Sequence, residues 1–272
     1  MLADRLRAAL PDLPPQLAAA GRYLAAHPFE AATRSMRQFA QGSGASPASC
    51  TRLAQALGFP GWEALRAAAI EEQRQPAPYS RRASAGAGLP ALLAAERQNL
   101  EALAGLELTP AAATLHAAPR IHVAGFRSCL AVATLLHYQL RLFRPETVLL
   151  AEAALDLDLG RLHAGEALVL TGFAPYSRAS LAAFAAAREA GLATVVLADS
   201  PAAPIAAGAT HLLCFGTATP AFFPSLAAAT ALAQALAAAV FTLGGEPARI
   251  RLREAEARLA QLAAYLPEPE AA

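Results

Sequence analysis

The chain has 272 residues, 56% of them apolar, and a formal net charge of +1. That is length for one small and one medium domain with a sizeable core. A balance this close to neutral excludes a globally basic, histone-like nucleic-acid binder, but it leaves room for a local basic face.

The chain before residue 75 reads as helical throughout. Leu13, Leu17, Ala20 and Leu24 recur at helical spacing. Ser35-Met36-Arg37-Gln38 has the form of a capping box, with Ser35 as N-cap and Gln38 three residues on, which turns Met36, Phe39 and Ala40 toward a core. Gly42-Ser43-Gly44 should break this helix. Ser46-Pro47 should open the next, with Ser46 as N-cap and Pro47 at the first helical position. Cys50, Leu53, Ala54 and Leu57 form its apolar stripe and Gly58 its stop. Trp62, Leu65, Ala69 and Ile70 predict one more helix. Pro76 to Pro90, rich in Pro, Gly and Ser, reads as a linker. The predicted division is therefore a helical domain at 1–75, a linker at 76–90 and an α/β domain at 91–266.

Beyond the linker, a helix over Ala91–Leu103 leads into alternation. The predicted strands are Arg120–Ala124, Thr147–Leu150, Ala167–Thr171, Thr194–Leu197 and His211–Phe215. Helices are predicted at Ser128–Phe143, Arg178–Ala190 and Ala202–Ala207. Short apolar runs alternating with helices imply a parallel sheet covered on both faces. Ser225 to Tyr265 reads as two helices broken at Gly244-Gly245. The apolar run Leu226–Phe241 is rich in alanine and too short for a membrane span, so it reads as a core or interface helix.

Two short helices around a small-residue turn fit a helix-turn-helix, with Ser46, Ser49, Thr51, Arg52 and Gln55 on or near the outer side of the second. Hydroxyls can bond phosphates, while Arg and Gln can read base edges. On pattern alone, an ordinary helical domain with a solvated polar face remains the alternative. In the α/β part, ligands are expected beyond the carboxyl ends of strands. The first strand is followed by Gly125-Phe126-Arg127-Ser128-Cys129, and the third by Gly172-Phe173-Ala174-Pro175-Tyr176-Ser177-Arg178. Each loop offers a hydroxyl, an arginine and a helix start, which together make an anion site. The alternative places Arg127 and Arg178 at a surface or dimer interface. The loop Gly216–Ser225, with Thr217, either walls the pocket or meets a partner subunit.

Cys50, Cys129 and Cys214 are scattered and odd in number, which predicts reduced thiols in a cytoplasmic protein without a disulfide or zinc site. His122, His137 and His211 read as hydrogen-bonded structural residues. Asp156 and Asp158 could bind a cation or cap a short helix. No Ser–His–Asp order, Walker motif or complete dinucleotide fingerprint is present, and the nearest acids by sequence, Glu152 and Glu166, lie outside the loops. No catalytic residue and no cofactor are therefore expected.

The run Ser35-Met36-Arg37-Gln38-Phe39-Ala40, followed by Ser46-Pro47-Ala48-Ser49-Cys50-Thr51-Arg52-Leu53-Ala54-Gln55-Ala56-Leu57-Gly58-Phe59-Pro60-Gly61-Trp62, resembles the N-terminal domain of the RpiR (MurR) family of bacterial transcription regulators. The resemblance implies that the Ser46–Leu57 helix enters the major groove of double-stranded operator DNA, with Arg52 at the family's arginine position. The remainder, Leu89 to Tyr265, is similar to the SIS (sugar isomerase) domain. This implies a flavodoxin-like fold with a five-stranded parallel sheet, a homodimer or a tetramer, and a small anionic, sugar-phosphate-like effector at Gly125, Arg127, Ser128, Tyr176, Ser177, Arg178 and Thr217. The loops depart from the usual phosphate-binding patterns. Arg127 stands where a second glycine is usual and Cys129 where a serine is, and in the second motif only Ser177 keeps a hydroxyl. The expected function is an effector-modulated, membrane-free transcription regulator. The rivals are a sugar-phosphate isomerase and a SIS domain serving dimerisation only.

Overall fold

The computed structural model describes residues 2–26, 28–74, 79, 88–201 and 203–262. The chain forms two compact units, the first built from the N-terminal helices and the second from the α/β part. The segment 76–90, expected to be a linker, lies mostly outside the described residues. At its end, Gly88 caps the helix that Leu89 and Pro90 begin.

The first unit comprises α1 (Leu2–Ala9), α2 (Pro15–Ala26), α3 (Pro28–Thr33), α4 (Met36–Ser43), α5 (Pro47–Ala56) and α6 (Trp62–Arg74). Leu6, Leu24, Phe39, Cys50, Leu53 and Leu65 are buried together in its core, and the Phe39 ring lies 4.7 Å from that of Trp62. The expected capping box forms at α4. The Ser35 amide donates to Gln38 Oε1 at 3.0 Å, and the Gln38 amide donates to Ser35 Oγ at 3.4 Å. Ser46 caps α5 by accepting the Ser49 amide at 3.1 Å, with Pro47 opening the helix. Each such cap is worth about 1 kcal/mol.

The break between α4 and α5 is narrower than the sequence suggested. Gly42 and Ser43 remain helical, and Gly44 alone turns the chain, at φ 67°. One residue in the left-handed region satisfies the last carbonyls, so a second breaker is not needed. Gly42 serves packing instead, because the Tyr23 side chain occupies the space a Cβ would fill.

The second unit comprises α7 (Leu89–Glu101), α8 (Thr109–Ala117), β1 (Ile121–Gly125), α9 (Leu130–Arg141), β2 (Thr147–Leu149), α10 (Leu155–Leu159), β3 (Ala167–Gly172), α11 (Arg178–Glu189), β4 (Ala193–Ala198), β5 (His211–Cys214) and α12 (Ala227–Gln261). All five predicted strands are present within a residue of their expected limits. They pair in parallel in the order β2-β1-β3-β4-β5. This is the flavodoxin-like order, whose switch point lies between β1 and β3. β1 and β3 are buried along their whole length, as continuous apolar runs between two helical layers require.

Three details depart from the sequence reading or extend it. The helix expected over Ala202–Ala207 does not form, and the described residues there run in turns, since Pro201 and Pro204 remove the amide donors a helix needs. α8 was not anticipated, although Thr109-Pro110 is a helix-start signature. α10 is a short helix that contains Asp156 and Asp158, and the Asp158 carboxylate accepts the Ala151 amide at 3.2 Å.

α12 is long and apolar enough to span a membrane by length and composition. Its Ala228, Leu232, Leu236 and Val240 are buried in the core under the sheet, against residues of α8 and α9. It is interrupted at Gly245 (φ 53°, ψ −140°), and Pro247 opens the segment beyond, so the expected two helices are there.

Candidate functional site

α5 presents one face to the core and another outward. Cys50, Leu53 and Ala54 are buried, whereas Ser46, Ala48, Arg52 and Gln55 are exposed. Thr51 is half-buried, and its hydroxyl donates to the Pro47 carbonyl at 3.3 Å. Ser49 corrects the sequence reading. It is buried, with its Oγ 3.0 Å from that of Ser46. Ser49 lies one turn before Leu53 and shares its inward phase. Ala48 was passed over because it is apolar, yet it lies on the same exposed stripe as Arg52 and Gln55. At the far end, the Arg5 guanidinium stacks 4.8 Å from the Phe59 ring and donates to the Leu57 carbonyl at 3.4 Å, which anchors the exit from α5.

In the second unit, the loops after β1 and β3 flank the switch point. Gly125 ends β1, and a Cβ there would come within 2.5 Å of the Cys129 carbonyl oxygen, so the strand can approach the following turn only as glycine. Arg127 is exposed and holds a left-handed backbone, φ 57°, in a 3-10 turn that leads into α9. Ser128 is half-buried beside it. Across the switch point, Ser177 caps α11 by accepting the Ser180 amide at 3.0 Å, and Arg178 projects to solvent. Tyr176 is half-buried and donates its hydroxyl to Asp199, whose other carboxylate oxygen accepts the Ala174 amide at 3.2 Å.

Asp199 is the residue that sequence reasoning missed. The register pairs Gly172 with Ala198, so the first residues after β3 and β4 emerge side by side. An acid placed directly after a buried strand was the available signal. Burial and the Asp199 carboxylate raise the Tyr176 phenol above its usual range. Burial pushes the Cys129 thiol up to about 12, with Asp199 adding to the effect, and Cys214 is raised by the same two causes. Both sulfurs therefore remain protonated, weakly reactive thiols at neutral pH.

The loop after β5, which carries Thr217, reaches this region through Phe223, whose ring meets that of Phe173 edge-on at 6.3 Å. It is held from behind by α7. Asn99 donates to the Ala218 carbonyl at 2.7 Å, and Ser225 donates to Glu96 at 2.6 Å. Glu166 lies away from all of these loops, at the amino edge of β3, where its carboxylate meets His122 at 2.8 Å and Arg120 at 3.3 Å. His211 pairs with Thr114 at 2.7 Å. No cluster of metal-ligating side chains occurs among the described residues.

The sheet order and its flanking loops agree with a family match: residues 114–239 match the SIS domain. The second unit contains a SIS domain. Its α/β fold corresponds to that of the sugar isomerase domain of an RpiR transcription factor from Sphaerobacter thermophilus. That structure is 26% identical, with a TM-score of 0.59, over 62% of this chain and 98% of the other. The Vibrio vulnificus NanR protein, solved in complex with ManNAc-6P, has the same fold over 97% of this chain and 100% of its own, at 18% identity and a TM-score of 0.63. No curated protein sequence matches the chain. Within the SIS domain, Arg127 keeps the left-handed backbone suited to the glycine usual there, and Asp199 braces the loop after β3 from inside.

Proposed function

We propose that the chain is a DNA-binding transcription regulator of the RpiR kind, whose SIS domain takes a small anionic, sugar-phosphate-like effector and pairs two chains into a homodimer. The observation that carries this reading is the outward stripe of α5. Ser46, Ala48, Arg52 and Gln55 line one exposed face of a capped helix that follows a tight turn. Such a face suits a major groove, with Arg and Gln for base edges, Ala for a thymine methyl and the helix N-terminus for a phosphate. A dimer would bind two half-sites about 34 Å apart, or a multiple of that spacing.

The ManNAc-6P bound by NanR supports a phosphorylated sugar as the effector class. In the crevice, Arg127 and Ser128 would take the anionic end, and Asp199 with Tyr176 would accept the sugar's hydroxyls. We assign the site a sensing role rather than a catalytic one. Asp199 is already bonded through both oxygens, Glu166 is held by His122 and Arg120 at the other edge of the sheet, and Glu152 stands exposed after β2, outside the Arg127 and Ser177 loops.

The test is a mobility-shift titration of the gene's upstream DNA at physiological salt, repeated with sugar phosphates and sugar acids. The proposal expects specific retardation that one compound class shifts. Salt-sensitive smearing on any DNA would refute it. One observation favours a second reading, a SIS domain that only dimerises: the Asp199 carboxylate already occupies the Ala174 amide. Specific retardation unaffected by every compound would select that reading.

A further inference from the structure

The second unit carries another concave site, at the edge of the sheet opposite the Arg127 and Ser177 loops. α9 runs back from the carboxyl end of β1 toward the amino end of β2, so its last turn and Pro145 lie at the amino edge of the strands. There His137, Tyr138, Arg141 and Leu142 face Ala255, Arg258 and Leu259 of α12, and with Pro145 they line a cavity of about 390 Å³. Small-molecule sites have this size and this mainly apolar lining.

The charged part of the lining is of one sign. Arg141 and Arg258 arrive from different helices, no Asp or Glu lines the cavity, and neither guanidinium has an ion pair among the described residues. On the same stretch of α12, Arg249 and Arg253 are both paired with Glu246. Burial and the Arg141 charge hold the His137 imidazole below its usual range, so the cavity is cationic through its arginines. Two planar guanidiniums from different helices border one mainly apolar groove, and guanidinium geometry suits a carboxylate, sulfonate or phosphate.

We propose that this groove is a second ligand site, for a soluble organic anion with an apolar body. The acidic group sits between Arg141 and Arg258, and the hydrocarbon part lies on Leu142, Pro145 and Leu259. The site is separate from the Arg127 and Ser177 loops and does not rest on the effector reading.

The probe is 8-anilinonaphthalene-1-sulfonate, titrated into the full chain and followed by its fluorescence. The uncharged analogue N-phenyl-1-naphthylamine serves as control. The Arg141→Ser, Arg258→Ser double variant should weaken the sulfonate at least tenfold and leave the neutral analogue within twofold. Ala255→Trp, which fills the groove, should abolish binding of both at this site while the thermal transition stays native. Octanoate, as a soluble monomer, should displace the sulfonate from the wild type. Unchanged sulfonate affinity in either variant would overturn the proposal. So would sedimentation showing that the double variant dissociates an oligomer whose formation the sulfonate does not oppose, since a second copy would then own the groove.

Discussion

If Arg127 holds the proposed effector, it couples backbone strain to ligand recognition, and two substitutions separate the effects. Among the described residues it is the one non-glycine with a left-handed backbone, φ 57°. Such a backbone costs an L-residue roughly 1–2 kcal/mol. Arg127→Ala keeps that cost. Arg127→Gly removes it but adds roughly 0.5–1 kcal/mol of backbone entropy lost on folding. The glycine variant should therefore be the more stable of the two, by up to about 1.5 kcal/mol. In urea, with a slope near 2 kcal/mol/M, the midpoints should differ by up to about 0.75 M, read from the transition of the second unit. Both variants lose the same guanidinium, whose bond to an anion is worth about 1.5–3 kcal/mol, so both should lose effector affinity equally, by roughly ten- to a hundredfold. Stability that splits while affinity falls together is the expected signature. A midpoint for Arg127→Ala equal to or above that of Arg127→Gly would refute the strain argument, and undiminished effector binding in both would remove Arg127 from the site.

Other consequences are as direct. Arg52→Ala should weaken operator binding by about 1–3 kcal/mol in a shift assay with its fold intact. Ser49→Ala should instead lower stability by about 1 kcal/mol through the lost Ser46 contact, without changing the operator affinity of the folded protein. Asp199→Asn replaces one acceptor oxygen by an amide donor, so calorimetry should show weaker binding of a phosphorylated sugar whose hydroxyls Asp199 accepts; unchanged or tighter binding would remove Asp199 from the ligand's acceptors. Burial pushes the Glu166 carboxyl up, but hydrogen bonds from His122 and the His163 amide, with the His122 and Arg120 charges, outweigh it and hold the group below its usual range. Because the folded value is depressed, this stabilisation is present above the unfolded value of about 4.3 and is lost as pH falls through the lower folded one. Wild type should therefore exceed Glu166→Gln in thermal stability at neutral pH and converge with it below about pH 4. A constant gap down to pH 2 would show that the ionised carboxylate contributes nothing.

The parts of the fold legible in the sequence were those written in local chemistry. The Ser35 and Ser46 caps are set by residues three positions apart, and the buried strands are apolar runs that need covering on both faces whatever their neighbours. The missed features depend on competition or phase. Ser49 looks polar and outward until its position one turn from Leu53 is weighed, and burial beside Ser46 satisfies its hydroxyl. The 202–207 segment has helical composition, yet Pro201 just before it and Pro204 within it outweigh alanine's propensity.

Asp199 shows why the candidate ligand site was only half legible. Nothing near it in sequence marks it as part of a loop that begins more than twenty residues earlier. Its role follows from strand order, because β4 lies beside β3 and the Gly172–Ala198 register delivers the carboxylate to Ala174 and Tyr176. Arg127 and Ser177 could be found one loop at a time, since each follows its own strand. A carboxylate beside the loop after β3 is a property of the adjacency of β3 and β4. It implies polarity in any occupant, with the acidic end toward Arg127 and the hydroxyl donors toward Asp199, and a ligand anionic at both ends would meet the carboxylate unpaired.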